Sequence, residues 1–481
     1  MEPQHLRFGG GTTETVLNPI VLALVLLVGI LVLALPRAKV IAPLIAAFIL
    51  IPMDQILLIG GMHFPMLRFL ALFGIARLAW ENFTSRRIFS GGINKIDIAV
   101  VSFAIVTALA GVLLFREWGA LVYQLGNVYT ICGIYFLLRY LLRDERDVIR
   151  MLRALAYVAA VAAIVMTWEM ITGRNPYALL GGADAAIHAT SMARADRFRA
   201  TGGFAHPILA GTFGAILVPL FVLLWQDDRK NRIIAAVGII SATIITLASN
   251  SSTPILAYAA GVLALCMWPA RNRMRAIRWA VVIVMVSLHM VMKAPVWHLI
   301  ARIDLSGGSS SYHRFMVVDQ CIRHFSDWWL VGVKSTYEWG WDMWDTANQY
   351  VSICDCSGLV PFVLFLAAIV YGFQYLGRAR KAAGSRREQI FLWGLGSALF
   401  ANVVAFMGIS YVDQTQVVWY GLLAGISAAA IVQPQSETAQ VQVLMSAQDT
   451  IAQVDFDSGR EKDRIHTDPV TYPARQRSLV P

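Results

Sequence analysis

Apolar runs of about 20 residues follow one another along almost the whole of this chain, and a run of that length has few folded options. In a bilayer core every backbone N–H and C=O must be satisfied within the spanning structure. Runs this long suit helices rather than the alternating strands of about 10 residues that build an outer-membrane barrel. Candidate spans fall at 16–35, 40–53, 64–80, 97–115, 120–142, 152–171, 207–225, 233–248, 254–268, 279–297, 351–376, 390–409 and 416–432. The second is short, and the third carries Arg68 and Arg77. Only 15% of the 481 residues are charged and 57% are hydrophobic, against about 25% charged in soluble domains. The sequence predicts an all-α, polytopic membrane protein with about 12–13 transmembrane helices and a large loop containing surface helices. The first run is too long for a signal peptide, lacks a small-residue cleavage site, and is expected to span.

Charge orients the set. Arg86/Arg87/Lys95, Arg143/Arg146/Arg150/Arg153, Arg229/Lys230/Arg232, Arg271/Arg273/Arg275/Arg278 and Arg378/Arg380/Lys381/Arg386/Arg387 all fall on one side when the spans alternate. That side is expected to be cytoplasmic. The net charge of +10 follows from this topology and calls for no nucleic acid partner. The segments Trp168–His206, Asn250–Thr253, Trp297–Tyr350 and Ser410–Thr415 are then extracytoplasmic. The N-terminus lies outside if all the spans cross, and inside if 40–53 is re-entrant. The stretch Arg139–Arg153 reads as a connector stitched by i,i+3 and i,i+4 ion pairs. Residues 433–481 are polar, without apolar periodicity, and are expected to form a disordered cytoplasmic tail. The five cysteines, including the Cys354-Asp-Cys356 pair, lack zinc-site spacing, so no metal site is expected.

Two polar segments stand out. The first, Arg194-Ala-Asp-Arg197-Phe-Arg199-Ala-Thr-Gly202-Gly203-Phe-Ala-His206-Pro207, places three arginines on the outer side. Gly202-Gly203 permits a tight backbone, and Pro207 suits the first turn of the following span. Arg199 and His206 then sit at the mouth of an outward-pointing helix N-terminus, an arrangement suited to phosphate. Glu169 lies at the outer end of the preceding span.

The second segment runs from Arg302 to Tyr350. A linker, Asp304–Ser311, precedes Tyr312-His313-Arg314, whose following apolar positions at 315, 317, 318, 321, 322 and 325 suit an amphipathic helix on the membrane surface. Arg314 falls in its first turn, where a cation is unfavourable unless an anion is present. Beyond a turn at Asp327–Val333, Tyr337, Trp339, Trp341 and Trp344 alternate with Glu338, Asp342 and Asp345. Aromatics among carboxylates suit either sugar stacking or an interfacial belt, and the carboxylates are candidate general bases. Asn348 and Tyr350 close the segment.

The order of these pieces resembles the O-antigen ligase and Wzy-type polymerase family of bacterial envelope glycan assembly. The family's R-x-x-G-x-F-x-x-P-N-like segment is matched by Arg199-Ala-Thr-Gly202-Gly-Phe204-Ala-His206-Pro207-Ile208. Its Arg-led loop helix is matched by Arg314–Phe325, and its glycine turn by Trp329-Leu-Val-Gly332-Val-Lys334. Its H-N-x-Y-L-x-x-L-x-E-x-G-L ending is matched by Ala347-Asn348-Gln349-Tyr350-Val351-Ser-Ile-Cys-Asp355-Cys-Ser-Gly358-Leu359. The resemblance covers roughly residues 100–430. It implies a multi-pass protein of the bacterial inner membrane with periplasmic loops at 172–206 and 298–350. It further implies a glycosyltransferase without metal or other cofactor, taking glycan from an undecaprenyl-pyrophosphate donor to a glycan or lipid acceptor. Membrane lipids and a chain-length regulator are the further partners implied.

In that chemistry Arg199 and Arg314 would clamp the diphosphate, with Asn348 and Tyr350 also binding substrate. His206, His313 and Asp345 are the candidate bases. Two departures matter: Ala347 replaces the loop-end His on which ligases depend, and Asn250-Ser251-Ser252 lacks the Arg of the family's Ser-Arg pair. Both favour a polymerase of O-antigen or exopolysaccharide over a ligase. The rival expectation is a transporter or flippase of a lipid-linked or anionic solute, which would place charges and broken helices near the midplane. A non-catalytic membrane scaffold is a third.

Overall fold

The computed structural model describes residues 15–52, 55–60, 62–84, 89–181, 192–194, 197–225, 229–302 and 311–430. The expected tail at 433–481 and most of the linker at 304–311 lie outside the described residues. Helices α1 (Pro19–Ala34), α2 (Arg37–Leu50) and α3 (Met66–Thr84) are followed by α4 (Lys95–Phe115), α5 (Trp118–Leu141) and α6 (Glu145–Thr172). Then come α7 (Pro207–Leu224), α8 (Arg229–Ala248), α9 (Ser252–Cys266) and α10 (Met274–Val291). The shorter α11 (Ser311–Arg323) and α12 (Gln349–Ser357) precede α13 (Leu359–Ala382), α14 (Arg386–Ala405) and α15 (Asp413–Ala429). Two antiparallel hairpins, β1–β2 (Ile56–Ile59 with Met62–Pro65) and β3–β4 (Met192–Arg194 with Arg197–Arg199), interrupt the helices. Eight helices, α4 to α8, α10, α13 and α14, are long and apolar enough to cross a membrane. At 1.5 Å per residue, helices of this length match a hydrocarbon core of about 30 Å. The chain is a multi-pass membrane protein.

Local chemistry sets the helix ends. Asn94 and Asp97 form a reciprocal capping box at the start of α4, as Ser385 and Glu388 do for α14, satisfying amides that the first turn leaves without partners. Gly173, at φ 68°, ends α6 in the left-handed conformation that a side chain disfavours. The predicted span at 351–376 is divided: Gly358, at φ 87°, separates α12 from α13, so the span begins at Leu359. A Cβ at Gly358 would stand 2.7 Å from the Leu330 carbonyl oxygen, which explains why the break needs glycine.

At the centre stands α7, almost wholly buried. Its Gly214 lets α8 approach closely, where a Cβ would lie 2.6 Å from the Ala242 carbonyl, and its Gly211 makes room for Ser249 and for Pro254 of α9. Small residues are the usual means of bringing helices together where apolar burial between lipid-bathed helices gives little drive. At the opposite extreme, no residue of α10 is buried.

The basic ends of the helices meet. Arg37 of α2 pairs with buried Asp147 of α6 at 2.5 Å, Lys95 N donates to Tyr375 Oη, and Arg380 donates to the Arg271 carbonyl. Buried Arg139 faces Asp97 at 3.4 Å, and Tyr135 donates to the same carboxylate at 2.5 Å. The Arg139–Arg153 stretch carries the expected i,i+3 ion pair, Arg150 with Asp147, and also pairs outside itself. Its charges join α5 to α4 through Arg139 and Asp97, and α6 to α2 through Asp147 and Arg37, and residues from Glu145 onward already belong to α6. Helix α2 runs from this end to the other, where Gln414 Nε2 donates to the Ile51 carbonyl at 3.5 Å, so it does not double back.

Candidate functional site

The described parts of the four segments Trp168–His206, Asn250–Thr253, Trp297–Tyr350 and Ser410–Thr415 gather at the end opposite the basic clusters. Ala200 N donates to the Ala248 carbonyl at 3.0 Å. Arg199 Nη2 donates to Ser251 Oγ at 2.7 Å, and its Nε to the Ser249 carbonyl at 3.4 Å. Thr253 Oγ1 donates to the Gly408 carbonyl at 3.4 Å, Asn348 Nδ2 to Met407 at 3.1 Å, and Ser410 Oγ to Thr346 at 3.1 Å. Gln414 Nε2 closes the circuit on the Gly203 carbonyl at 2.7 Å.

The first polar loop is built around Glu169. This carboxylate, 1% exposed, accepts from Thr201 N at 3.1 and 3.0 Å, Thr201 Oγ1 at 3.1 Å and Gly202 N at 2.8 Å. Asn175 Nδ2 adds bonds to Thr201 Oγ1 at 3.0 Å and the Gly202 carbonyl at 2.8 Å. Gly202 itself sits at φ 58°. The loop is thereby held from α6, and it delivers Arg199, 7% exposed, and His206 to the start of α7. The side chains of Arg194 and Arg197 lie outside the described residues.

His206, expected as a candidate base, has another task. It is the N-cap of α7, and its Nδ1 accepts from Ile208 N at 3.1 Å. Burial, with the nearby Arg199 charge, lowers its pKa to about 4. A neutral ring whose Nδ1 accepts carries its proton on Nε2. His206 therefore presents a hydrogen-bond donor beside an arginine and a helix N-terminus, and its lowered pKa makes it a weak proton acceptor.

The second polar loop is a folded cap with its own apolar core. Val317 and Cys321 of α11 pack with Trp328, Trp339, Met343, Val351 and Cys354. Val317 and Cys321 of α11 face this core, whereas Ile322 and Phe325, also among the apolar positions expected at the membrane surface, are exposed. Arg314 points to the buried side, Asp319 accepts from Trp297 Nε1 at 3.0 Å, and the ring of Trp339 stacks on His324.

His313, Arg314, Asp342 and Asp345 come together at the start of α11. His313 Nε2 lies 2.9 Å from the Asp345 carbonyl oxygen, and its Nδ1 is 3.9 Å from Asp342 Oδ2. Desolvation raises the Asp345 pKa above the usual carboxylate value; the charges of His313 and Arg314 oppose the rise and that of Asp342 adds to it. Asp342 sits at φ 61°, a left-handed conformation uncommon for a non-glycine residue. It lines an open cavity of about 610 Å³ with Tyr337, Gly340, Trp341 and Trp344, and Trp341 is 92% exposed.

Asn348 and Tyr350, expected to bind substrate, have side chains engaged within the protein. Asn348 caps α12, its Oδ1 accepting from Tyr350 N and Val351 N at 3.0 and 3.2 Å. Tyr350 Oη donates to the Val403 carbonyl at 2.9 Å, and its ring packs among Phe362, Phe365 and Phe406.

Asp355 was visible in the sequence only as the acidic position of the loop-end motif. It is buried, Thr346 hydrogen-bonds to it, and burial pushes its pKa up to about 6. Thr346 thus links it to the Asp345 cluster. Among the described residues no group of three or more His, Cys, Asp or Glu is arranged to hold a metal ion. No family model matches the chain, and no curated protein matches it by sequence.

Proposed function

We propose that this protein is a bacterial inner-membrane glycosyltransferase of the O-antigen ligase and polymerase type, acting as a polymerase of O-antigen or exopolysaccharide repeat units. The donor is glycan on undecaprenyl pyrophosphate, and the acceptor is a sugar hydroxyl. The thirteen longer helices, α1 to α10 and α13 to α15, cross the bilayer with their basic ends cytoplasmic and the polar end periplasmic.

The single observation that carries this reading is the convergence of two polar loops, far apart in sequence, on one end of the bundle. One brings Arg199 and the Nε2–H of His206 to the N-terminus of α7; the other brings Arg314, His313 and Asp345. Guanidinium groups, an N–H donor and a helix dipole suit a diphosphate whose negative charge grows as it leaves. The exposed Trp341 and Trp344 around Asp342 offer apolar faces and a carboxylate to a pyranose ring. Position 347 is alanine and supplies no titratable group, which favours polymerase over ligase. Against a transporter, the buried charges Asp97, Arg139 and Asp147 lie at the basic end, where they join helices.

The test is polymer length in cells carrying Arg199→Ala or Arg314→Ala, with protein level monitored. Each variant is expected to abolish polymer from the lipid-linked repeat unit while the protein remains at its normal level. Wild-type chain lengths in both would end the diphosphate-clamp idea.

A further inference from the structure

Cys321 and Cys354 belong to the cap, far apart in sequence and on different helices. Both are buried in the cap's apolar core, and α11 packs directly on α12. Interaction with the Cys321 thiol raises the Cys354 pKa, and burial raises it further. The side chains around them, Val317, Trp328, Trp339, Met343 and Val351, are apolar or aromatic. Cys356, two residues beyond, is exposed. Buried cysteines ordinarily serve as small apolar filler. Two in mutual contact across a helix pair also satisfy the first requirement of a disulfide, side chains that already meet.

We propose that Cys321 and Cys354 are joined by a disulfide in the mature protein, pinning α11, which carries His313 and Arg314, to α12. The proposal rests on the reading that the cap faces an oxidising, extracytoplasmic compartment. The oxidant is a protein disulfide of the thiol–disulfide oxidoreductase class. One cysteine thiolate attacks that disulfide, forming a mixed disulfide and releasing the oxidant's other sulfur as a thiolate. The second cysteine thiolate then attacks the sulfur of the first and displaces the oxidant's remaining thiol. Two protons and two electrons leave the chain, and the oxidant's disulfide becomes a dithiol. A thiol buried in apolar surroundings is a poor nucleophile, so the exchange takes place before the cap closes. The bond then removes freedom from the long loop between the two helices and fixes His313 and Arg314 relative to Asn348.

The experiment uses full-length protein from cells whose thiols are trapped with N-ethylmaleimide at lysis, followed by denaturation, proteolysis without reductant and mass spectrometry. A peptide linking Cys321 to Cys354 is expected, lost after reduction and lost in Cys321→Ser but retained in Cys356→Ser. A parallel sample of purified, reduced protein is treated with diamide during refolding into detergent. Alkylated Cys321 and Cys354 in cells, together with a 321–354 link after diamide, would overturn the proposal by placing the cap in a reducing compartment. The glycosyl-transfer reading would then lose its periplasmic face. Absence of the link in both samples would overturn the pairing itself and leave the sidedness of the protein untouched.

Discussion

Replacing Glu169 tests whether the first polar loop is held from α6. In Glu169→Ala, Thr201 N, Thr201 Oγ1 and Gly202 N lose a carboxylate at 2.8 to 3.1 Å, in a place where Glu169, Thr201 and the loop backbone are buried. A buried donor left without its acceptor costs about 1–3 kcal/mol. Part of the total is recovered if water fills the space, so about 3 kcal/mol is expected to fall on the 200–203 segment. This is a local loss: α6 and α7 keep their packing, and the segment opens more often while the bundle stays folded. By the Boltzmann relation, about 3 kcal/mol makes exchange of the Thr201 and Gly202 amides ~100-fold faster. Hydrogen exchange by mass spectrometry in detergent reads this directly, with peptides from α4 and α14 as internal references. Glu169→Gln keeps one acceptor oxygen but turns an NH2 toward the donors, and its effect is expected to be nearly as large. Polymer synthesis should fall with the loosening, because Arg199 and His206 ride on the same segment. Unchanged exchange at 200–203 in Glu169→Ala would refute the clamp, whatever happened to activity.

Two further predictions concern protons. His206 titrates near pH 6.5 when unfolded and at about 4 when folded, so between these values the unfolded chain binds more protons and stability falls as pH drops. The wild type should lose about 3 kcal/mol across that window. His206→Asn, which retains a good N-cap, should flatten this part of the profile; thermal unfolding at pH 7 and pH 4.5 checks it, and an unaltered slope would show that another group dominates. The raised pKa of Asp345 predicts that polymer formation falls on acidification, with a midpoint above that of an ordinary aspartate. Asp345→Asn should lower the rate at pH 7 at least 10-fold and remove that acid limb. A variant that keeps the limb would move the assignment to Asp355.

The helices were legible because their signal is local: length, apolarity and caps such as Asn94 are written in consecutive residues. The break at Gly358 was missed because an apolar run hides a turn that only the Leu330 carbonyl makes necessary. The surface helix was half legible. Periodicity showed that Val317 and Cys321 share a covered face, but not that Trp328 and Trp339 cover it. Asn348 is a different case. An asparagine directly before a helix reads as a cap by local rules, and the family pattern drew attention to substrate instead. The Glu169 clamp could not be read at all, because its donors lie 32 and 33 positions away and neither partner has a pattern pointing to the other.

The two sides of the site differ in what they can do with a proton. Around the N-terminus of α7, the buried Arg199 and the neutral His206 offer donors, and the low pKa of His206 keeps that side from accepting a proton at neutral pH. Across the circuit through Thr253, Gly408 and Asn348, the groups with raised affinity for protons are the carboxyls Asp345 and Asp355, joined through Thr346. A glycosyl transfer of the proposed kind needs both: donors where the diphosphate departs, and an acceptor near the attacking hydroxyl. Two groups of opposite proton bias on separate elements are what such a division of labour requires. On the proposed reading, position 347 needs no histidine: Asp345 and Asp355, the carboxyls with raised pKa, stand on either side of it in sequence, and the Asp345 carbonyl lies against His313.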